Sequence, residues 1–298
     1  MKKGIRTLLL GIGILIFLVM LSRANIADVG TAMSAAGIYI IPLSLIIIFE
    51  ILLKSFRLKL LMGNRFKIQL GKLFRIVLET TFISVYTPGR MGEVVKLQLL
   101  KEFHGMERRY TLSYLVIERL LDLAVIVTLS AGVLFHLGLM QNLAYFILAI
   151  FILAALAWIA YRRFEKLRNA VGSTIKNIRE TTLSLQLLFA AALTPAIWLI
   201  EVLVPFMLIS VLGGEISFFT LASIYFASSL IGLISLIPGG VGTMDLSFYF
   251  LLSSIGGIDY GLALIVAAIT RMVNLLVALL GFHLYMKDIR KPHLDEKS

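Results

Sequence analysis

The chain has 298 residues, of which 59% are hydrophobic and 15% charged, with a mean hydropathy of +0.96. An ordinary soluble domain is about half apolar and about a quarter charged, so this composition excludes one and predicts membrane helices. A formal charge of +11 would suit nucleic acid, but the Lys and Arg residues lie in short stretches between apolar segments, as in basic cytoplasmic loops, and nucleic-acid binding is rejected.

The elements follow in chain order. Lys2, Lys3 and Arg6 precede an apolar run from Leu8 to Leu21, which reads as a cleaved signal or, given Arg23 in its flank, better as a retained first helix. A segment from Ala35 to Leu53 contains Glu50, and a basic loop is expected over residues 54–75. A short helix, Ile76 to Tyr86, runs into Thr87-Pro88-Gly89-Arg90-Met91-Gly92-Glu93, then an amphipathic piece reaches Gly105. Past Arg108 and Arg109, a long helix from Tyr110 to Leu137 carries Glu118, Arg119 and Asp122.

Another helix, Leu143 to Tyr161, leads to a basic interfacial segment, Arg162 to Glu180. Apolar helices are expected from Leu183 to Leu212, with Glu201, and from Phe218 to Ile237. A second turn, Pro238-Gly239-Gly240-Val241-Gly242, precedes a short piece that carries Asp245 and ends at Gly256. The last helix, Tyr260 to Met286, contains Arg271 and Asn274.

These elements repeat. Glu50 and Glu201 are 151 positions apart, the two Pro-Gly-x-x-Gly turns 150, and Arg119-x-x-Asp122 and Arg271-x-x-Asn274 152. The basic stretches place both termini in the cytoplasm and orient the two copies oppositely. The expected fold is therefore an all-α polytopic membrane protein with two inverted-topology repeats, each containing a Pro-Gly re-entrant helical hairpin, plus an extra N-terminal helix. The single transmembrane domain covers 1–298. Repeat 1 spans 35–138, the linking helix and basic segment 139–182, and repeat 2 183–287.

In each hairpin the proline breaks the helix and the glycines let backbone approach a ligand: Pro88, Gly89 and Gly92 in one, Pro238, Gly239, Gly240 and Gly242 in the other. Ionisable groups within membrane helices cost about 2.5–3.5 kcal/mol each and need partners. Glu118, Arg119 and Asp122 can pair locally or hold helices together. Arg271 has no acid close by in sequence, so Glu201, Asp245 or a bound phosphate would account for it. Arg90, Glu93 and Lys96 make the first half the better phosphate candidate, with an interfacial anchor as the plainer reading of Arg90. Glu50, Glu79 and Glu201 read as proton carriers or as partners for arginine. The histidines lack ligand spacing, there is no cysteine, and no zinc, nucleotide or serine-hydrolase motif occurs, so neither metal nor cofactor is expected.

Tyr86-Thr87-Pro88-Gly89-Arg90-Met91-Gly92-Glu93, Ile237-Pro238-Gly239-Gly240-Val241-Gly242 and Glu118-Arg119-x-x-Asp122 resemble the lysylphosphatidylglycerol synthase transmembrane region. The resemblance extends over nearly the whole chain and implies a flippase-like membrane domain. In two-domain members a separate soluble domain makes the lipid. Since this chain ends at Ser298, aminoacyl transfer is not expected of it. Thr243-Met244-Asp245 departs from the acid that follows the first turn.

The expectation is a translocase of the cell membrane that moves an anionic phospholipid or polyprenyl-phosphate-linked lipid between leaflets. Arg90, Lys96, Arg119 and Arg271 would hold the phosphate. Alternatives are a membrane-embedded enzyme acting on a lipid phosphate, or a non-catalytic partner of a glycosyltransferase or other lipid-modifying enzyme. A homodimer is compatible with either reading.

Overall fold

The computed structural model describes Leu15 and residues 36–63, 66–85, 92–130, 162–163, 165–181, 184–235 and 240–289. The expected first helix, apart from Leu15, and the helix over 143–161 lie outside these residues. The described residues form nine helices and no strand: α1 Ile40–Met62, α2 Leu70–Val85, α3 Gly92–His104, α4 Arg108–Ser130, α5 Glu165–Thr181, α6 Ser184–Val211, α7 Phe218–Ile234, α8 Thr243–Ser254 and α9 Tyr260–Ile289. Stretches in α6 and α9, Leu185–Val211 and Tyr260–Met286, are long and apolar enough to cross a membrane.

The expected basic loop over 54–75 is corrected. Helix α1 continues through Lys54, Arg57 and Lys59 to Met62 and stops at Gly63, whose φ of 61° suits a residue without Cβ. The next helix begins at Leu70, so Lys72 and Arg75 are helical as well. Likewise Arg108 and Arg109 open α4 instead of preceding it. The helix expected to reach Ile237 ends at Ile234, and Ser217 caps its start by accepting from the Thr220 N–H at 3.1 Å. Charge alone suggested solvated loops, but Arg57 finds partners on other helices, and Lys54 and Arg75 pair with Glu50 and Glu79 on their own.

Two helices are built inside out. On α1, Ile41, Leu45, Phe49, Leu52 and Phe56 are exposed, whereas Glu50 and Arg57 are buried. On α4, Leu112, Val116, Leu120 and Leu123 are exposed, whereas Glu118 and Asp122 are buried. Spacings of three and four residues put each set on one face. Apolar faces turned outward and charges turned inward suit hydrocarbon surroundings, and the reverse would be required in water.

Helices α1 and α6 form the central pair. Helix α9 packs on α2 and α7 on α4, while α2 packs on α3 and α7 on α8. Gly281 sits against the Leu78 carbonyl, where no Cβ could fit, so this glycine sets how closely α9 approaches α2. Helix α5 is largely exposed and is tied to α4 by Asn177, which donates to Ser113 Oγ at 3.1 Å.

Candidate functional site

The inward charges surround a cavity of about 150 Å³. It is lined from α1 by Glu50, Lys54 and Arg57, from α3 by Lys96, and from α4 by Glu118, Arg119 and Asp122. From the second half come Trp198 and Glu201 on α6, Tyr225 on α7, Asp245 on α8, and Thr270, Arg271 and Asn274 on α9. Both halves of the chain therefore contribute polar groups to one space. Its described lining has five basic and five acidic side chains, formally neutral when all are ionised.

Arg57 is the centre of the first cluster. Only 1% exposed, it donates from Nη1 to Asp122 Oδ1 at 2.6 Å and to Thr194 Oγ1 at 3.1 Å. Its Nη2 lies 3.4 Å from Asp122 Oδ2 and 3.6 Å from Glu118 Oε1. Asp122 also accepts from Trp198 Nε1–H at 3.0 Å and pairs with Arg119 at 3.2 Å, one helical turn away. Glu118 pairs with Lys96 at 3.2 Å, which ties α3 to α4. Glu50 pairs with Lys54 on its own helix.

The second cluster is smaller. Arg271 Nη2 meets Asp245 Oδ1 at 2.7 Å, and its Nε donates to the same oxygen at 2.9 Å. Asp245 Oδ2 accepts from the Gly242 N–H at 2.9 Å, so one carboxylate fixes both the turn and the arginine. That turn has φ values of 64° at Gly240 and 82° at Gly242, a region where side chains are costly. Glu201 Oε1 accepts from the Tyr225 hydroxyl at 2.8 Å.

Of the residues singled out in the sequence, Lys96, Glu118, Arg119, Asp122, Arg271, Glu50, Glu201 and Asp245 come together around the cavity. Among the partners considered for Arg271, Asp245 is the one in contact. Pro88, Gly89, Arg90, Pro238 and Gly239 lie outside the described residues, and Gly92 and Glu93 are described only as backbone at the start of α3. Sequence reasoning missed Arg57, Lys54, Trp198, Tyr225 and Thr194. A signal existed for two of them: Lys54 and Arg57 follow Glu50 by four and seven residues and so share its face.

A second, open cavity lies where Phe66, Lys67, Gln69, Lys72 and His104 meet, with no carboxylate in its described lining. Among the described residues, no three His, Cys, Asp or Glu side chains are grouped to hold a metal ion.

A family profile described as the lysylphosphatidylglycerol synthase TM region matches residues 6–281. The chain belongs to that family. A curated relative, a UPF0104 membrane protein from Methanothermobacter thermautotrophicus, is 23% identical to this family member over 120 residues. That match covers 38% of this chain and 35% of the relative, so about a third of the relative's length is spanned. No solved structure matches. The family and the apolar helices make this a membrane protein related to lipid handling.

Proposed function

We propose that this chain is a lipid translocase of the cell membrane, moving a phosphate-bearing headgroup between leaflets through the cavity between its halves. The observation that carries this reading is the cavity itself: an interior lined with arginine, lysine and carboxylate inside helices whose outer faces are apolar. Charged groups at membrane depth mark substrate or ion pathways. Its volume of about 150 Å³ is on the scale of a headgroup, so acyl or isoprenoid tails would stay in the bilayer. Arg119 and Arg271 occupy matching positions in the two halves and would hold the phosphate through paired N–H donors. Each already holds a carboxylate, so the phosphate binds by replacing it.

The same reading arranges the chain as inverted repeats. Exchanging α1–α4 with α6–α9 leaves the main pattern of packing unchanged: α1 with α6 maps on itself, α2 with α9 becomes α7 with α4, and α2 with α3 becomes α7 with α8. Helix α8, bounded on both sides by described residues, has 12 residues and rises about 18 Å against roughly 30 Å of hydrocarbon. That supports hairpins entering from opposite faces, in a multi-pass chain with cytoplasmic termini.

The test uses the full chain in liposomes with labelled phosphatidylglycerol or a labelled polyprenyl phosphate. Transfer of either between leaflets above protein-free vesicles, reduced in Arg119→Gln and Arg271→Gln, is expected. No transfer of any anionic lipid by well-folded protein sinks the reading. A chemically altered headgroup would favour an enzyme instead.

A further inference from the structure

Four of the five carboxylates in the cavity have a cation. Glu50 holds Lys54, Glu118 holds Lys96, Asp122 holds Arg57 and Arg119, and Asp245 holds Arg271. Glu201 does not. Among the described residues its Oε1 meets only the neutral Tyr225 hydroxyl, and its Oε2 is buried with no hydrogen-bond donor.

The helices packed on α6 offer it no other charge. Helix α7 presents Tyr225, while the cations of α1 and α4 and Arg271 of α9 are engaged by the carboxylates just named. The sequence explains why. At the offset of 151 that relates Glu50 to Glu201, Lys54 corresponds to Pro205. The ring also lacks the N–H that would donate to the Glu201 carbonyl in a regular helix.

A carboxylate oxygen that is buried with neither a donor nor a counter-ion makes the charged form costly. Oε2 has essentially no accessible surface, and a proton is the smallest counter-charge that can neutralise it there. With Glu201 and the other nine groups all ionised the described lining is neutral, so a phosphodiester entering it brings one uncompensated negative charge, which a proton on Glu201 would offset.

We propose that Glu201 is the proton-accepting residue of transport. One proton leaves water on the side where the lipid enters and forms an O–H bond at Oε2, while Tyr225 keeps Oε1. The bond breaks and the proton returns to water on the side where the lipid leaves. Lipid anion and proton then cross together with no net charge. This inference rests on the translocase reading and names its coupling ion.

The test reconstitutes the full chain in liposomes with labelled phosphatidylglycerol and imposes a pH gradient. The wild type should move the label in the direction set by the gradient. Glu201→Gln, an isosteric change checked for monodispersity in detergent, should lose that response. Tyr225→Phe removes a donor to the carboxylate and should shift the pH midpoint of the response upward. Infrared difference spectra across a pH step should contain a protonated-carboxyl band that is absent in Glu201→Gln and kept in Glu50→Gln.

Transfer that ignores the pH gradient, transfer driven instead by a sodium gradient, or a band that survives in Glu201→Gln overturns the proton assignment and leaves the translocase standing. No transfer by the wild type overturns the translocase and the coupling together, and the infrared band then decides whether Glu201 binds a proton at all.

Discussion

The two halves of the chain share a scaffold of positions and differ in what they place there. Both keep the glutamate of the central helix pair, Glu50 and Glu201, and the arginine of the long helix, Arg119 and Arg271. In the first half four cations meet three carboxylates in the cavity, and Arg57 and Arg119 share Asp122. At the repeat offsets, Lys54, Arg57 and Lys96 become Pro205, Leu208 and Leu246, and Glu118 and Asp122 become Thr270 and Asn274. What remains in the second half is the pair Arg271–Asp245 and, apart from it, Glu201. A network with shared partners resists opening, because removing one member strands the others. A single pair can exchange its partner at lower cost. The difference sets a shared network around Arg57 in the first half against the Arg271–Asp245 pair in the second.

Asp122→Ala should have the largest effect, because it leaves Arg57 buried without its closest acid and removes the acceptor of Trp198. A loss of about 3–5 kcal/mol is expected, read as thermal unfolding of the purified protein in detergent. Asp245→Ala should cost less, roughly 1.5–3 kcal/mol, since it frees one partly exposed arginine and one backbone N–H. Equal losses in these two variants would remove the distinction between network and pair.

Gly281→Leu inserts into α9 the residue type found 152 positions earlier, Leu129, and should cost about 1–3 kcal/mol by forcing α9 off the Leu78 carbonyl. An unchanged unfolding temperature would show that this approach is not close. Trp198→Phe removes one hydrogen bond to Asp122 and should cost about 1 kcal/mol. Pro205→Lys puts an ionisable group at a buried position and is read by transport, not by stability. It places a lysine one turn from Glu201, as Lys54 is from Glu50, and should abolish the response of lipid transfer to a pH gradient. A retained response would mean that the free state of Glu201 is not what couples transport.

Much of the site was legible because burying charge in apolar helices is costly enough to make each instance conspicuous. Glu118, Arg119, Asp122 and Arg271 stood out within long apolar runs, and the offset of about 151 linked them to Glu50, Glu201 and Asp245. Arg57 was hidden by its neighbours. Surrounded by Lys54, Lys59 and Arg65, it read as one more loop cation, although the apolar stripe from Ile41 to Phe56 already implied a helix with its charges turned inward.

By itself, the sequence determined that the chain belongs in a membrane and which residue types recur at a nearly constant offset, because hydropathy and charge act locally and their cost is set by the bilayer. The tertiary structure decided who pairs with whom. Arg57 is 65 positions from Asp122, and Asp122 is 76 from Trp198. No local rule relates side chains at such distances. Only the packing of α1, α4 and α6 brings them together, and that packing leaves Glu201 without a cation among the described residues.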